Sequence, residues 1–357
     1  MPGWDFPEQL EAKRLLDAAL QDGPAHAYLF HGPRGVGKRE AATQFAAALL
    51  GGDPRVARGA HPDLYRLEAL GEMIRIDAIR ELRRDLHMRP FEADRRVYLI
   101  FDAHLLGQEA ADALLKDLEE PPPYAVLVLV ADDLGPLPET IRSRCQHVPF
   151  RRLSEQAIRA RLPQGLDPER ATAIARVAAG RLDRVERLLD PQEASRRDAL
   201  LAVARSVYAD PDFEPADGAA RLLESVRERG RVAREQAEAE VEPLGLPTRE
   251  AEQRVRRAQR GAEREELLDA LEELAAWYRD LVVVAVGAER AAVHYDRLEQ
   301  LRADATIERL AGAEAAAGLV RDAWRTLEEF NVAPQLALEA LLVRLGRELA
   351  STAVCRL

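Results

Sequence analysis

Gly32-Pro33-Arg34-Gly35-Val36-Gly37-Lys38 follows the apolar run Ala27-Tyr28-Leu29-Phe30-His31 and precedes a helical pattern at 38–50. Its spacing fits the first seven positions of the phosphate-loop motif G-x-x-x-x-G-K-[ST], in the strand–loop–helix context that the motif requires. In such a loop the backbone N–H groups surround phosphate oxygens, and the lysine adds a positive charge. The candidate phosphate-binding residues are therefore Gly32, Gly35, Val36, Gly37 and Lys38.

The sequence around this loop alternates between strand and helix patterns through residues 1–150. Val97 to Phe101 and Val126 to Ala131 are nearly continuous apolar runs, which are typical of strands buried on both faces. Between them, a helical pattern at Glu109 to Glu120 stops at three prolines. This order predicts an α/β fold with a parallel sheet and crossover helices.

After residue 150 no strand pattern is apparent. Residues 151–205 show the pattern of several short helices, and residues 206–357 that of long helices. Leucine stripes at 267–281 and 338–345 predict apolar helix faces. The Arg- and Glu-rich stretch 224–266 is interpreted as a solvated helix face with local ion pairs.

Composition narrows the class of function. The formal net charge is −11, which argues against a chain that binds DNA tightly by itself. The two cysteines, Cys145 and Cys355, are too few for a four-thiolate zinc site, and no zinc is predicted. No signal pattern or membrane-spanning run is apparent, so the expected location is cytoplasmic, with no membrane partner.

The eighth position of the loop departs from the motif. Arg39 stands where a metal-binding enzyme needs a Ser or Thr hydroxyl. A guanidinium offers no oxygen ligand and places a positive charge where Mg²⁺ would bind. The loop is therefore expected either to hold ATP or ADP without well-coordinated Mg²⁺ or to stay empty.

Two further segments carry a family resemblance. Leu114-Leu115-Lys116-Asp117-Leu118-Glu119-Glu120-Pro121-Pro122 and Ile141-Arg142-Ser143-Arg144-Cys145, taken with the phosphate loop, resemble the AAA+ clamp-loader family of bacterial replication. A weaker likeness extends to Asn331-Val332-Ala333-Pro334. The resemblance implies a RecA-like AAA+ core at 1–150, a helical lid at 151–205 and an all-α collar for oligomerisation at 206–357.

The resemblance also implies partners and a second site. The chain would sit in a five-subunit ring beside tau/gamma and delta subunits, and the ring would load a sliding clamp onto primed DNA. Arg144 matches the family's arginine finger, the arginine that reaches a neighbouring subunit's nucleotide, where a planar cation stabilises transition-state charge. Arg142 is the weaker candidate for this role. Without the resemblance, both arginines would be interpreted as surface cations of a loop.

Matching the chain to the motor subunits of the family reveals further departures. A gapless count from Glu119 puts Phe101 at the position of the metal-binding aspartate and Asp102 at that of the water-activating glutamate, although a one-residue slip would make Asp102 the metal ligand. Asp183 falls where the motors carry a lid arginine. These departures predict a subunit without ATPase activity of its own. The alternatives are an active tau/gamma-like motor and, more distantly, an unrelated phosphate-loop kinase or DNA-repair ATPase.

Overall fold

The computed structural model describes residues 3–69, 73–242, 248–330 and 333–350. They form two compact units, one made of Met1–Arg161 with Gly180–Asp183 and the other of Leu162–Ala179 with Arg184–Leu357. Among the described residues, no helix is long and apolar enough to cross a membrane. Cys355 and the pair Asn331-Val332, which the sequence analysis singled out, lie outside the described residues. The division of the chain into three regions at 150 and 205 stays a prediction.

The first unit alternates helices and strands. Its elements are α1 (Leu10–Asp22), β1 (Ala27–His31), α2 (Lys38–Leu49), β2 (Leu64–Leu67), α3 (Ile76–Leu86), β3 (Arg96–Ile100), α4 (Gln108–Glu119), β4 (Ala125–Ala131), α5 (Glu139–Arg142), β5 (Gln146–Pro149) and α6 (Glu155–Arg159). The predicted strands and helices of this region are therefore confirmed to within a residue or two. No bounds were predicted for the edge strands β2 and β5. Within the described sheet β5 pairs with β1 alone, and its polar residues and terminal proline suit the edge of a sheet.

The strands form one parallel sheet in the order β2-β3-β4-β1-β5. β1 lies between β4 and β5. Because all the strands run parallel, the loop that follows β1 lies at the carboxyl edge of the sheet, where ligands bind in open α/β folds. The expected α/β core with a parallel sheet is confirmed.

Side chains of each strand alternate between two apolar layers. Phe30, Leu99 and Phe101 pack on one face with α1 and α2. Leu29 and Ile100 pack on the other face with α3 and α4. Because both faces are covered, the central strands are apolar throughout, which explains the continuous runs in the sequence.

The described part of the second unit contains helices and no strand. They are α7 (Pro168–Val177), α9 (Pro191–Ala209), α10 (Pro215–Val241), α11 (Thr248–Ala285), α12 (Leu298–Asp304), α13 (Leu310–Phe330) and α14 (Pro334–Ala350); α8 (Leu182–Leu189) begins in the first unit and ends in this one. The predicted stripes are buried, with Leu271, Leu274 and Leu342 at the centre of one apolar core. The prediction of an all-α carboxyl-terminal part is thus confirmed.

The Arg- and Glu-rich stretch falls on the helix pair α10 and α11. Outside the main core, the described residues of these two helices share a small apolar cluster of Ala237, Val241 and Val255, with Ala251 and Ala258 at its edge. Their exposed faces carry ion pairs one turn apart, such as Arg231 with Glu235. The structure thus agrees with the interpretation of a solvated face for these residues.

Candidate functional site

The phosphate loop has a backbone that only glycines adopt without strain. Gly32, Gly35 and Gly37 have φ values of +139°, +71° and +93°. A Cβ on Gly32 would lie 2.1 Å from the carbonyl oxygen of Phe150, so this position also needs the absence of a side chain. The loop leads directly into α2, whose first residue is Lys38. The predicted loop residues are therefore brought together at the carboxyl end of β1.

The Lys38 ammonium is bound entirely by its own chain. Nζ donates to the carbonyl oxygens of Gly32 at 2.6 Å and Pro33 at 2.5 Å, and it lies 2.7 Å from Oδ1 of Asp132. These three partners match the three hydrogens that an ammonium can donate. Burial lowers the pKa of Lys38, and the Asp132 and Asp183 carboxylates oppose this lowering. Asp132 follows β4 directly, and the sequence analysis did not identify it.

Arg39 lies where the hydroxyl of a metal-binding loop would be. Its guanidinium is 2.6 Å from Oδ2 of Asp102 and 4.7 Å from the ring centre of Phe101. Arg66 lies 5.4 Å from the centre of the same ring. The carboxylate nearest to the loop's eighth position is therefore already neutralised, and the adjacent residue is a buried phenyl ring flanked by two cations.

These residues do not fit Mg²⁺. A hard cation needs oxygen ligands, but here the Arg39 guanidinium is paired with the Asp102 carboxylate, and Phe101 offers no side-chain oxygen. Across the described ranges there is also no group of three or more His, Cys, Asp or Glu side chains that could hold a metal ion. The absence of zinc stays a prediction.

A carboxylate from the first turn of α8 lies against the loop. Asp183 Oδ1 is 1.8 Å from where a Cβ on Gly35 would be, so it approaches the glycine backbone closely. The Leu182 N–H donates to the carbonyl oxygen of Gly35 at 2.7 Å. Asp183 also accepts two hydrogen bonds from Arg181, at 3.1 and 2.5 Å, and lies 3.6 Å from Nε of Arg34. This negative charge is therefore held between the loop and two arginines.

The two candidate finger arginines lie elsewhere in the unit. Arg144 donates to Thr140 O at 2.9 Å, and its Nη2 lies 2.5 Å from Oε1 of Glu119. Arg142 forms an ion pair with Glu139 within α5. In the described structure, none of the hydrogen-bond or ion-pair partners of Arg144 belongs to the phosphate loop. About a third of the Arg144 side chain is exposed, so its guanidinium is accessible to solvent.

Sequence reasoning missed three polar contacts of this unit. Asp132 could have been found, because a polar residue directly after a strand beside β1 lies at the edge where the loop opens. Glu119 lay within a recognised segment, but its pairing with Arg144 depends on the tertiary structure. Gln9 gave no signal, yet its amide bonds to Arg151 in both directions and donates to Val36 O at 3.3 Å.

The match to a family model covers the first part of the chain. Residues 8–154 match the family model described as "DNA polymerase III, delta subunit". DNA polymerase III subunit tau of Bacillus subtilis is 31% identical over 227 residues, which are 60% of this chain and 39% of the relative. DNA polymerase III subunit delta' of the same organism is 33% identical over 187 residues, 49% of this chain and 57% of the relative.

The chain thus spans about half the length of the curated relatives that it matches. Among solved structures, a DNA polymerase III gamma subunit-related protein of Thermotoga maritima superposes with a TM-score of 0.48 and 16% identity. That superposition covers 95% of this chain and 99% of the other. Residues 8–154 of this chain are thus similar to a family of DNA polymerase III subunits, and the curated relatives are subunits of the same polymerase.

Proposed function

We propose that this chain is a delta-prime-type subunit of a DNA polymerase III clamp loader that hydrolyses no ATP itself. It sits beside tau/gamma and delta subunits in a five-subunit ring and supplies Arg144 to the ATP site of a neighbouring tau/gamma subunit. The ring loads a sliding clamp onto primed DNA. The match to the delta' relative supports this assignment.

The observation that carries the proposal is the ion pair between Arg39 and Asp102, at 2.6 Å. Metal-assisted phosphoryl transfer needs oxygen ligands from the loop and from the neighbouring strand. Here the loop position is a cation, and that cation has taken up the nearby carboxylate. Phe101 leaves no second carboxylate in the same place. A hydrolytic step at this chain's own loop is therefore not expected.

Arg144 suits a role in another subunit's chemistry. It is partly exposed and is held by a solvent-facing carboxylate rather than buried in a core. An exposed ion pair is worth about 0–1 kcal/mol, so a triphosphate presented by a neighbour can replace Glu119 as its partner. A guanidinium placed at the γ-phosphate stabilises charge that develops in the transition state.

An active tau/gamma-like motor is the second candidate. Lys38 and the loop glycines are retained, and the tau relative covers a larger share of this chain than the delta' relative does. ATP hydrolysis by the purified chain, alone and mixed with its tau/gamma and delta subunits, clamp and primed DNA, separates the two candidates. Turnover by the chain alone that Lys38→Ala abolishes would establish the motor and refute the proposal.

The finger role has its own test in the reconstituted ring. Arg144→Ala is expected to reduce the rate at the site it serves by about 10³-fold, the lower end for such arginines. The total turnover should then fall to that of the remaining sites. Arg80→Ala, an exposed arginine of α3, is the matched control and should leave turnover unchanged. Full activity of the Arg144→Ala ring would show that the finger assignment is wrong.

A further inference from the structure

The phosphate loop already contacts an anion of its own chain. Asp183 Oδ1 approaches Gly35 so closely that any side chain there would collide with it. The carboxylate also lies 3.6 Å from Nε of Arg34, which belongs to the loop. The features that admit a phosphate to such a loop, a glycine backbone and nearby positive charge, here admit a carboxylate.

Backbone bonding fixes this carboxylate beside the loop. The residue before it, Leu182, donates its N–H to the carbonyl oxygen of Gly35 at 2.7 Å. The residue before that, Arg181, is 3% exposed and binds both oxygens of Asp183. Charge-assisted, two-point contacts of this kind are among the stronger and more specific hydrogen bonds in proteins. Asp183 is therefore held beside the loop by the two residues that precede it.

The lysine of the loop is engaged as well. Lys38 donates to Gly32 O and Pro33 O and pairs with Asp132, so its three ammonium hydrogens are accounted for within the chain. A nucleotide phosphate would have to break at least one of these contacts before Lys38 could bind it. It would also bring negative charge towards the Asp183 carboxylate, and like charges at such short range repel.

We propose that Asp183 is the resident anion of the phosphate loop, and that it closes the loop to nucleoside di- and triphosphates. This inference rests on the proposed function, in which the loop catalyses no hydrolysis, and it decides between a nucleotide-bound loop and an empty one. Asp183 is thus a specificity-determining residue, because its charge selects against phosphate ligands at an otherwise retained loop.

Calorimetric titration of the purified full-length chain with ADP, with and without Mg²⁺, tests the inference. The wild-type chain should give no saturable binding up to millimolar ADP. Asp183→Asn keeps the shape of the side chain and removes its charge, and should bind ADP at least about 10-fold more tightly, which corresponds to roughly 1.4 kcal/mol. Adding Lys38→Ala to Asp183→Asn should abolish the gained binding, because that binding uses the loop.

Asp77→Asn, a highly exposed aspartate of α3, is the matched control and should behave as wild type. Asp183→Ala supplies a second removal of the charge if Asp183→Asn proves poorly folded by circular dichroism. Stoichiometric ADP or ATP released from the purified wild-type chain would overturn the inference. So would Asp183 variants that bind ADP no more tightly than wild type. Neither result involves Arg144, so the finger role stands or falls separately in the reconstituted ring.

Discussion

Arg144 and Glu119 form an ion pair in which Nη2 of the arginine lies 2.5 Å from Oε1 of the glutamate. Glu119 is the last residue of α4, and Arg144 follows α5, so two helix ends meet at this contact. Both side chains are partly exposed, at 35% and 49%. The ion pair therefore orients the Arg144 guanidinium, and breaking the pair costs little free energy.

In the reconstituted ring of the proposed function, Glu119→Gln is predicted to have a small effect on ATP turnover. Because an exposed pair contributes about 0–1 kcal/mol, ATP turnover of the ring should change by less than about 5-fold. Arg144→Ala in the same assay should remove the activity of the site it serves. A Glu119→Gln ring as inactive as the Arg144→Ala ring would mean that the glutamate acts in the reaction itself.

Gly35→Ala is predicted to cost more stability than Gly52→Ala. Both glycines have positive φ, +71° and +79°, so alanine strains either backbone by about 1–2 kcal/mol. At Gly52 the new methyl group meets nothing within 4 Å, whereas at Gly35 it meets Asp183. The free energy of unfolding in urea should therefore fall by at least about 1 kcal/mol more for Gly35→Ala, as overpacking costs in cores.

Asp183→Ala should partly relieve this difference, since it removes the atoms that collide. The four proteins of the double-mutant cycle then give a coupling energy between positions 35 and 183. Independent, additive effects of the two substitutions would contradict the close approach of Asp183 to the loop.

The second unit is predicted to lose stability as pH rises above the usual titration range of histidine. His294 is buried, with Nδ1 2.8 Å from Asp280 Oδ2 and Nε2 3.2 Å from Glu273 Oε1. Burial alone would lower the pKa of His294, but the two carboxylates raise it above its ordinary value. The contribution of the imidazolium is therefore complete below about pH 6.5 and is lost as pH rises through the raised pKa.

Glu273 sets the opposite limit. Its pKa is held below the ordinary value, because His294, Arg197 and Arg184 outweigh the effect of burial. Its contribution is complete above about pH 4.5 and is lost as pH falls. The pair is thus most stabilising between these two limits.

Urea unfolding can be followed by tryptophan fluorescence in a Trp4→Phe background, which leaves Trp277 and Trp324, both in the second unit. His294→Gln should lower the unfolding free energy by about 3–5 kcal/mol, since it leaves buried carboxylates uncompensated. In His294→Gln, the unfolding free energy should also fall less steeply as pH rises above 6.5. His26→Asn, an exposed histidine, is the control. An unchanged pH dependence in His294→Gln would refute the assignment of this decline to His294.

Cys145 is predicted to be unreactive in the native chain. The residue is 9% exposed, and burial raises the pKa of the thiol to about 12. In a Cys355→Ser variant, Cys145 should react with Ellman's reagent at pH 8 at least about 100-fold more slowly in buffer than in denaturant, because the thiolate is the reacting form. Comparable rates in the two solutions would place this thiol at an accessible surface.

The core of the first unit was predictable because its signals are local. A buried parallel strand needs apolar residues on both faces, so β1, β3 and β4 stand out as runs, and the glycine spacing marks the loop between β1 and α2. β5 escaped prediction because an edge strand tolerates polar residues. Its pairing with β1 is a property of the fold rather than of its own four residues.

The candidate site was only partly predictable for a related reason. Arg39 and Phe101 could be interpreted from their positions alone, since neither can bind a metal ion. The contact between Asp183 and Gly35 joins residues almost 150 positions apart, and no local pattern encodes it. The same holds for Lys38 and Asp132: the lysine could be identified from the sequence, but the groups that bind its ammonium could not.

The thin apolar contact between the outer parts of α10 and α11 has a consequence for how the second unit opens. Ala237, Val241 and Val255 bury little surface compared with the main core, and the exposed ion pairs beside them contribute about 0.3–0.5 kcal/mol each. Amide hydrogens near this cluster should therefore exchange by local fraying, at free energies well below that of global unfolding. Since salt screens exposed pairs, this end of the helix pair should loosen with ionic strength while the leucine core keeps its protection.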